Sequence, residues 1–231
     1  MQNSEGNDEN TDWRLIYVMA VIAAFGSIAF MPIQTVFFII WPLPTDVEAW
    51  FEVFAQNPIR GMISLDLLFM LQIIFVALIY LGLAVVLWLE NKALILLAMV
   101  SGFMGLALYF ASNPSFEMLN LSGQYAATSD IDVRNQLLAA GHGAMAIFTG
   151  TAYVVYYMLN AIALLLFAFA MYGSAHFSRM NAHSGMMAGL LMTVPASFGI
   201  VGMSMAFLSL IPWGVFCFLY AGAFMRMVNR K

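Results

Sequence analysis

Long apolar runs separated by short polar joints dominate the chain. The first run, Trp13 to Ile40, is bounded by Trp13 and Arg14 at one end and Trp41 at the other. Aromatic and basic residues at both ends of an apolar run suit the two interfaces of a bilayer. Pro32 lies near its far end, with Gln34 and Thr35 just beyond, so a kink is expected there. Further apolar runs follow at 62–89, 93–111, 185–207 and 208–228, the last two with no charged residue between them. The stretch from Ser129 to Tyr172 opens polar and then stays apolar. As one helix it would be about 60 Å long at about 1.5 Å per residue. A bilayer core needs only about 20 residues, so this helix must project from the membrane or break. The glycines around His142 and Gly150 are the expected break points. The pattern thus predicts an all-α transmembrane bundle of six membrane helices forming one domain over residues 13–231.

Between the first two spans lies Thr45-Asp46-Val47-Glu48, a capping box with Glu48 three residues after Thr45. In the helix it opens, Val47, Trp50, Phe51 and Phe54 share one face, while Asp46, Glu48, Glu52 and Gln56 fall elsewhere. This predicts a short amphipathic helix at the membrane interface, packed as a lid on the bundle. Its acidic face argues against docking on anionic headgroups. Pro114 ends the third span, and Ser115 to Gln124 reads as a surface helix with Phe116, Met118 and Leu119 facing inward.

Composition sharpens this picture. Hydrophobic residues make up 63% of the chain and charged residues only 9%, against about 25% charged in soluble domains. The alternating pattern of an outer-membrane barrel is missing. The chain is therefore read as an integral membrane protein in a lipid bilayer. It has no basic stripe with interleaved aromatics, so nucleic acid is not an expected partner. Cys217 is the single cysteine, which rules out an intramolecular disulfide. Residues 1–12 carry four acidic and no basic residues and read as a disordered tail.

Six spans place both termini on one side. With that side cytoplasmic, Arg14, Lys92, Arg179, Arg226, Arg230 and Lys231 lie inside and only Arg60 and Arg134 outside. That distribution follows the positive-inside rule and points to a cytoplasmic membrane.

This topology puts Gln34, Asp66 and His142 at similar depth in the outer half of the bilayer, with Gln72 about two turns deeper than Asp66. A polar cluster of Gln34, Asp66, Gln72 and His142 facing the bundle interior is expected, with His142 or Arg134 as ion-pair partner of Asp66. A carboxylate in a span costs a few kcal/mol and must find a partner, reach water or take a proton. Beside a histidine it can relay protons, orient a metal ligand or bind a cationic substrate. It can equally serve as a structural hydrogen bond between helices.

Other chemistry finds less support. The chain holds 19 methionines, and Met62, Met70 and Met145 near His142 would suit Cu(I), but methionines are spread through every span as ordinary filler. His176 and His183 sit in a loop far from His142, too few and too distant for paired haem ligation. Neither haem nor copper is expected. Phosphate-binding glycine loops, His-Glu-x-x-His and Gly-x-Ser-x-Gly are absent from the sequence.

Arg60 before the second span, Asp66 within it, the Ala77-Leu78-Ile79-Tyr80 segment and Leu137-Leu138-Ala139-Ala140 at the start of the fourth carry one resemblance. In these residues the chain resembles an uncharacterised family of small six-helix bacterial integral membrane proteins. The resemblance implies a fold and a bacterial inner-membrane location and no chemistry. The leading functional expectation is a non-enzymatic accessory or regulatory subunit of a larger membrane complex, or a binder of a lipophilic small molecule. The alternatives are a small proton-coupled transporter using Asp66 and His142, and a membrane redox or metal enzyme.

Overall fold

The computed structural model describes residues 13–229; the expected acidic tail lies outside them. Every regular element among the described residues is an α-helix. In chain order these are α1 Arg14–Ile40, α2 Val47–Gln56, α3 Pro58–Ser64, α4 Leu67–Leu87, α5 Lys92–Ser112, α6 Ser115–Ala127, α7 Ile131–Phe148, α8 Thr151–Met171, α9 Arg179–Leu191 and α10 Gly199–Val228. Five stretches among them are long and apolar enough to cross a membrane: 14–40, 67–87, 92–127, 131–171 and 199–228. The protein is thus of the multi-pass membrane type.

Three boundaries differ from those read in the sequence. The expected second span, 62–89, is two helices, interrupted at Leu65 and Asp66. The expected 185–207 and 208–228 helices are instead the short α9 and one continuous 30-residue α10. The true joint is 192–198, where Pro195 lacks a donor and Gly199 adopts φ 64°, a left-handed conformation that glycine takes freely. Pro212, expected in a first turn, lies inside α10. The 129–172 stretch does break, at Thr149 and Gly150, while the glycines flanking His142 stay helical.

The described residues fall into two compact units: 13–31, 72–106 and 157–229 form the first, 32–71 and 107–156 the second. In the first unit, glycines and aromatics set the helix contacts. A side chain at Gly82 of α4 would collide with the Tyr220 hydroxyl and with Ala20 of α1. That hydroxyl donates instead to the Ile79 carbonyl at 3.0 Å. Tyr80 donates to Asn160 Oδ1 at 3.1 Å, joining α4 to α8. Gly185 of α9 lies against Ala168 of α8 and Phe216 of α10. Tyr17, near the start of α1, packs edge-on to Phe224, near the end of α10.

In the second unit, α2 lays its apolar face on its neighbours. Val47, Trp50, Phe51 and Phe54 are all buried and form one cluster with Leu65, Met118 and Tyr125. The N-cap is Asp46, whose Oδ1 accepts from Ala49 N at 2.8 Å, rather than Thr45. Glu48 is thereby released from the expected capping box. It accepts the Tyr125 hydroxyl of α6 at 2.5 Å, and Arg134 of α7 lies 4.1 Å over the same ring. On α6 the inward residues are Ser115, Met118, Ser122 and Tyr125, with Leu119 partly buried. Phe116, expected inward, is exposed because it lies off the face carrying Met118 and Ser122.

Candidate functional site

The interruption between α3 and α4 is the most unusual feature of the second unit. Asp66 has φ 61°, and it is the only non-glycine residue with positive φ among the described residues. Aspartate visits this left-handed region more readily than most residues, but at a cost. Such strain persists only where surrounding contacts fix it.

Those contacts come from α5 and α6, far along the chain. At the joint, the carbonyl of Leu65 is met by side chains. Asn113 Nδ2 donates to it at 2.7 Å, and the Ser115 hydroxyl lies 2.9 Å away. Ser115 is itself held by Asn113: its backbone N–H donates to Asn113 Oδ1 at 3.0 Å, and its hydroxyl lies 2.6 Å from the same oxygen. With one hydrogen, the Ser115 hydroxyl donates to one of these acceptors at a time. Leu65, Asn113 and Ser115 are all buried. Pro114 between the two donors ends α5 and turns the chain into α6, which is why a polar pair can face one carbonyl.

The Asp66 carboxylate is held separately. Gln34 Nε2, two residues past the α1 proline, donates to Asp66 Oδ1 at 3.0 Å. The buried Tyr109 hydroxyl is a second neutral group that acts on this carboxylate. Tyr109 is the centre of an aromatic group: Tyr156 at 4.9 Å, Phe69 at 5.0 Å and Tyr153 at 6.5 Å between ring centroids. No lysine, arginine or histidine among the described residues acts on Asp66. A carboxylate with two neutral partners, an aromatic wall and no counter-charge can take a proton or a cation. It has no neighbour to act as a nucleophile or base partner.

Of the expected cluster, the structure brings Gln34 and Asp66 together. His142 is exposed, because the buried residue of that turn is Gly141, seated against Val47 and Phe51. One residue further round the helix, about 100° away, His142 points off the packed face. Gln72 belongs to the first unit, where it is buried with its Oε1 unpartnered. Arg134, expected as an ion-pair partner, stacks on Tyr125. The residues missed in the sequence are Asn113, Ser115 and Tyr109. Asn113-Pro114-Ser115 carries a signal, since three turn-forming residues also supply two hydrogen-bonding side chains.

No three His, Cys, Asp or Glu side chains among the described residues group so as to hold a metal ion. Compared with the models of known protein families, with curated proteins and with solved structures, the chain matches none.

Proposed function

We propose that the protein is a small ion-coupled carrier of a bacterial inner membrane, and that Asp66 is the carboxylate that takes up and releases the coupling cation or proton. The observation that carries this reading is a positive-φ aspartate with no counter-charge at the joint between the short α3 and the apolar span α4. Broken helices at membrane depth are the device by which carriers build ion sites, because interior backbone groups become available there. His142 plays no part in this reading, which leaves the aspartate as the single carboxylate of the site.

The topology that goes with it has six crossings and cytoplasmic termini. The sixth crossing is made by α9 together with 192–198, since 13 residues of helix span only about 20 Å at about 1.5 Å per residue. The contact between Tyr17 and Phe224 supports termini on one side, and the basic residues support that side being cytoplasmic. The α2 helix is then an outward lid at the interface. The bacterial assignment rests on the resemblance in Arg60, Asp66 and the Leu137–Ala140 segment.

The test is uptake into proteoliposomes across a panel of amino acids, sugars and organic cations, driven by an imposed proton or sodium gradient. A gradient-dependent signal for at least one compound is expected; none across the panel would remove the reading.

A second reading is favoured by one observation. Asn113 and Ser115 both face the Leu65 carbonyl, as they would if the joint were fixed architecture in a non-enzymatic accessory subunit or a binder of a lipophilic molecule. That reading requires a partner protein or ligand that co-purifies from the native membrane.

A further inference from the structure

A separate feature lies in the first unit, away from the residues used above. The loop after α8 and the last turn of α10 border an open-sided cavity of about 190 Å³ lined by Ala175, His176, Ala223, Arg226 and Met227. Its chemistry is divided. Arg226 and His176 supply nitrogen donors from two different segments, and Ala175, Ala223 and Met227 supply apolar wall. Among the described residues no carboxylate pairs with Arg226 or with His176. Glu90 faces Gly173 of this loop and does not line the cavity.

We infer that this cavity binds a phosphate monoanion carried on an apolar body, the headgroup phosphate of an anionic phospholipid. Arginine offers a planar fork of donors matched to phosphate oxygens, and histidine adds a donor from a second direction. The cavity sits where a headgroup would be met. Arg226 is in the final turn of the apolar α10, and Phe224 two residues before it touches Tyr17 near the start of α1. Arg14 and Arg226 therefore mark one end of this unit, and Arg179 follows His176 by three residues. Basic pockets among span ends are the usual means of holding lipid phosphates. The carbonyl end of α10 disfavours an anion through its partial negative charge. The two side-chain donors must outweigh that term, so removing either should be felt strongly.

The experiment uses the full chain, delipidated in a neutral detergent, titrated by native mass spectrometry. The probes are phosphatidylglycerol, phosphatidylcholine of the same acyl chains, and inorganic phosphate. Wild-type protein should retain phosphatidylglycerol at least about tenfold better than phosphatidylcholine, and Arg226→Gln should lose about tenfold in that affinity, the scale of one charge-assisted contact. His176→Gln should lose a smaller factor, and Lys92→Gln, which removes the same charge elsewhere, should lose none. Saturable binding of inorganic phosphate that Arg226→Gln abolishes, without preference between the lipids, would assign the site to a free phosphate source. Equal retention of both lipids with no phosphate binding, or equal loss in Lys92→Gln and Arg226→Gln, would overturn the proposal. Because the site needs no transport, its failure leaves the carrier reading intact, and the reverse holds as well.

Discussion

Asn113 Nδ2 donates to the carbonyl oxygen of Leu65 at 2.7 Å across 48 residues of chain, tying the α3–α4 joint to the turn between α5 and α6. In an unbroken helix this oxygen would accept from the amide four residues on. Here the backbone has turned away at Asp66, and a buried carbonyl without a partner would be costly. The side chain of Asn113 replaces the missing amide.

Asn113→Ala should therefore destabilise the fold by about 1–3 kcal/mol, because it removes a donor to Leu65 and the acceptor of the buried Ser115 N–H together, leaving only the Ser115 hydroxyl on the carbonyl. Ser115→Ala should cost less, because Asn113 remains on the carbonyl. The double variant should depart from additivity, since both residues serve one oxygen and each other. Thermal unfolding in detergent measures all three, and additive losses would show that the two side chains act independently.

Backbone conformation at Asp66 gives an ordered series. Asp66→Asn keeps a side chain that tolerates φ 61° and can pair with Gln34, so it should fold like the wild type. Asp66→Gly should lose little backbone energy, while Asp66→Ala should cost about 1–2 kcal/mol more than glycine for placing a Cβ in the left-handed region. Equal stability of the glycine and alanine variants would mean that the segment relaxes into a regular helix.

Two glycines flanking His142 should respond in opposite ways. A Cβ at Gly141 would come within 2.5 Å of Val47 Cγ1 and 2.8 Å of Phe51 Cζ, so Gly141→Ala should loosen the α2 lid. Nothing lies within 4 Å of a Cβ at Gly143, so Gly143→Ala should be neutral or stabilising by up to about 1 kcal/mol through helix propensity. Limited proteolysis near the lid and unfolding temperature distinguish the two.

The crossing number can be read by labelling. Cys217 is buried, so a Cys217→Ala background leaves introduced cysteines as the only targets. Cysteines at Trp13 and Asn229 should react with an impermeant maleimide from one side of the membrane, and those at Thr45 and Ser129 from the other. Labelling of Asn229 from the side opposite Trp13 would establish five crossings instead of six.

Much of this architecture is legible in the sequence, where one residue's neighbours decide its state. The lid face of Val47, Trp50, Phe51 and Phe54 follows from helical spacing alone, and so does the first apolar run. The break at Thr149 and Gly150 announces itself through glycine and excess length. The break at Leu65 and Asp66 does not, because neither residue is glycine or proline and its cause is Asn113 and Ser115, in contact only after folding. The α9–α10 joint is obscured for a different reason: 192–198 holds no charge to mark the turn, and Thr193, Pro195 and Ser197 read equally as a kink inside a span. His142 misleads because small neighbours on both sides suit a buried helix contact, and only Gly141 makes one. Pairing Gln34 with Asp66 is reachable from depth, since depth is set by counting residues from the span ends. Tyr109 is not, because one tyrosine in an aromatic-rich chain carries no positional signal.

The central claim is that Asp66 couples ion movement to substrate movement, and one comparison tests it most directly. In proteoliposomes holding a substrate found in the uptake panel, Asp66→Asn is measured in gradient-driven accumulation and in substrate exchange without a gradient. The account predicts that accumulation is lost while exchange persists, because the variant keeps the fold and loses only the titratable charge. Unchanged accumulation in Asp66→Asn would contradict it, and so would equal loss of both activities in a variant that unfolds at the wild-type temperature.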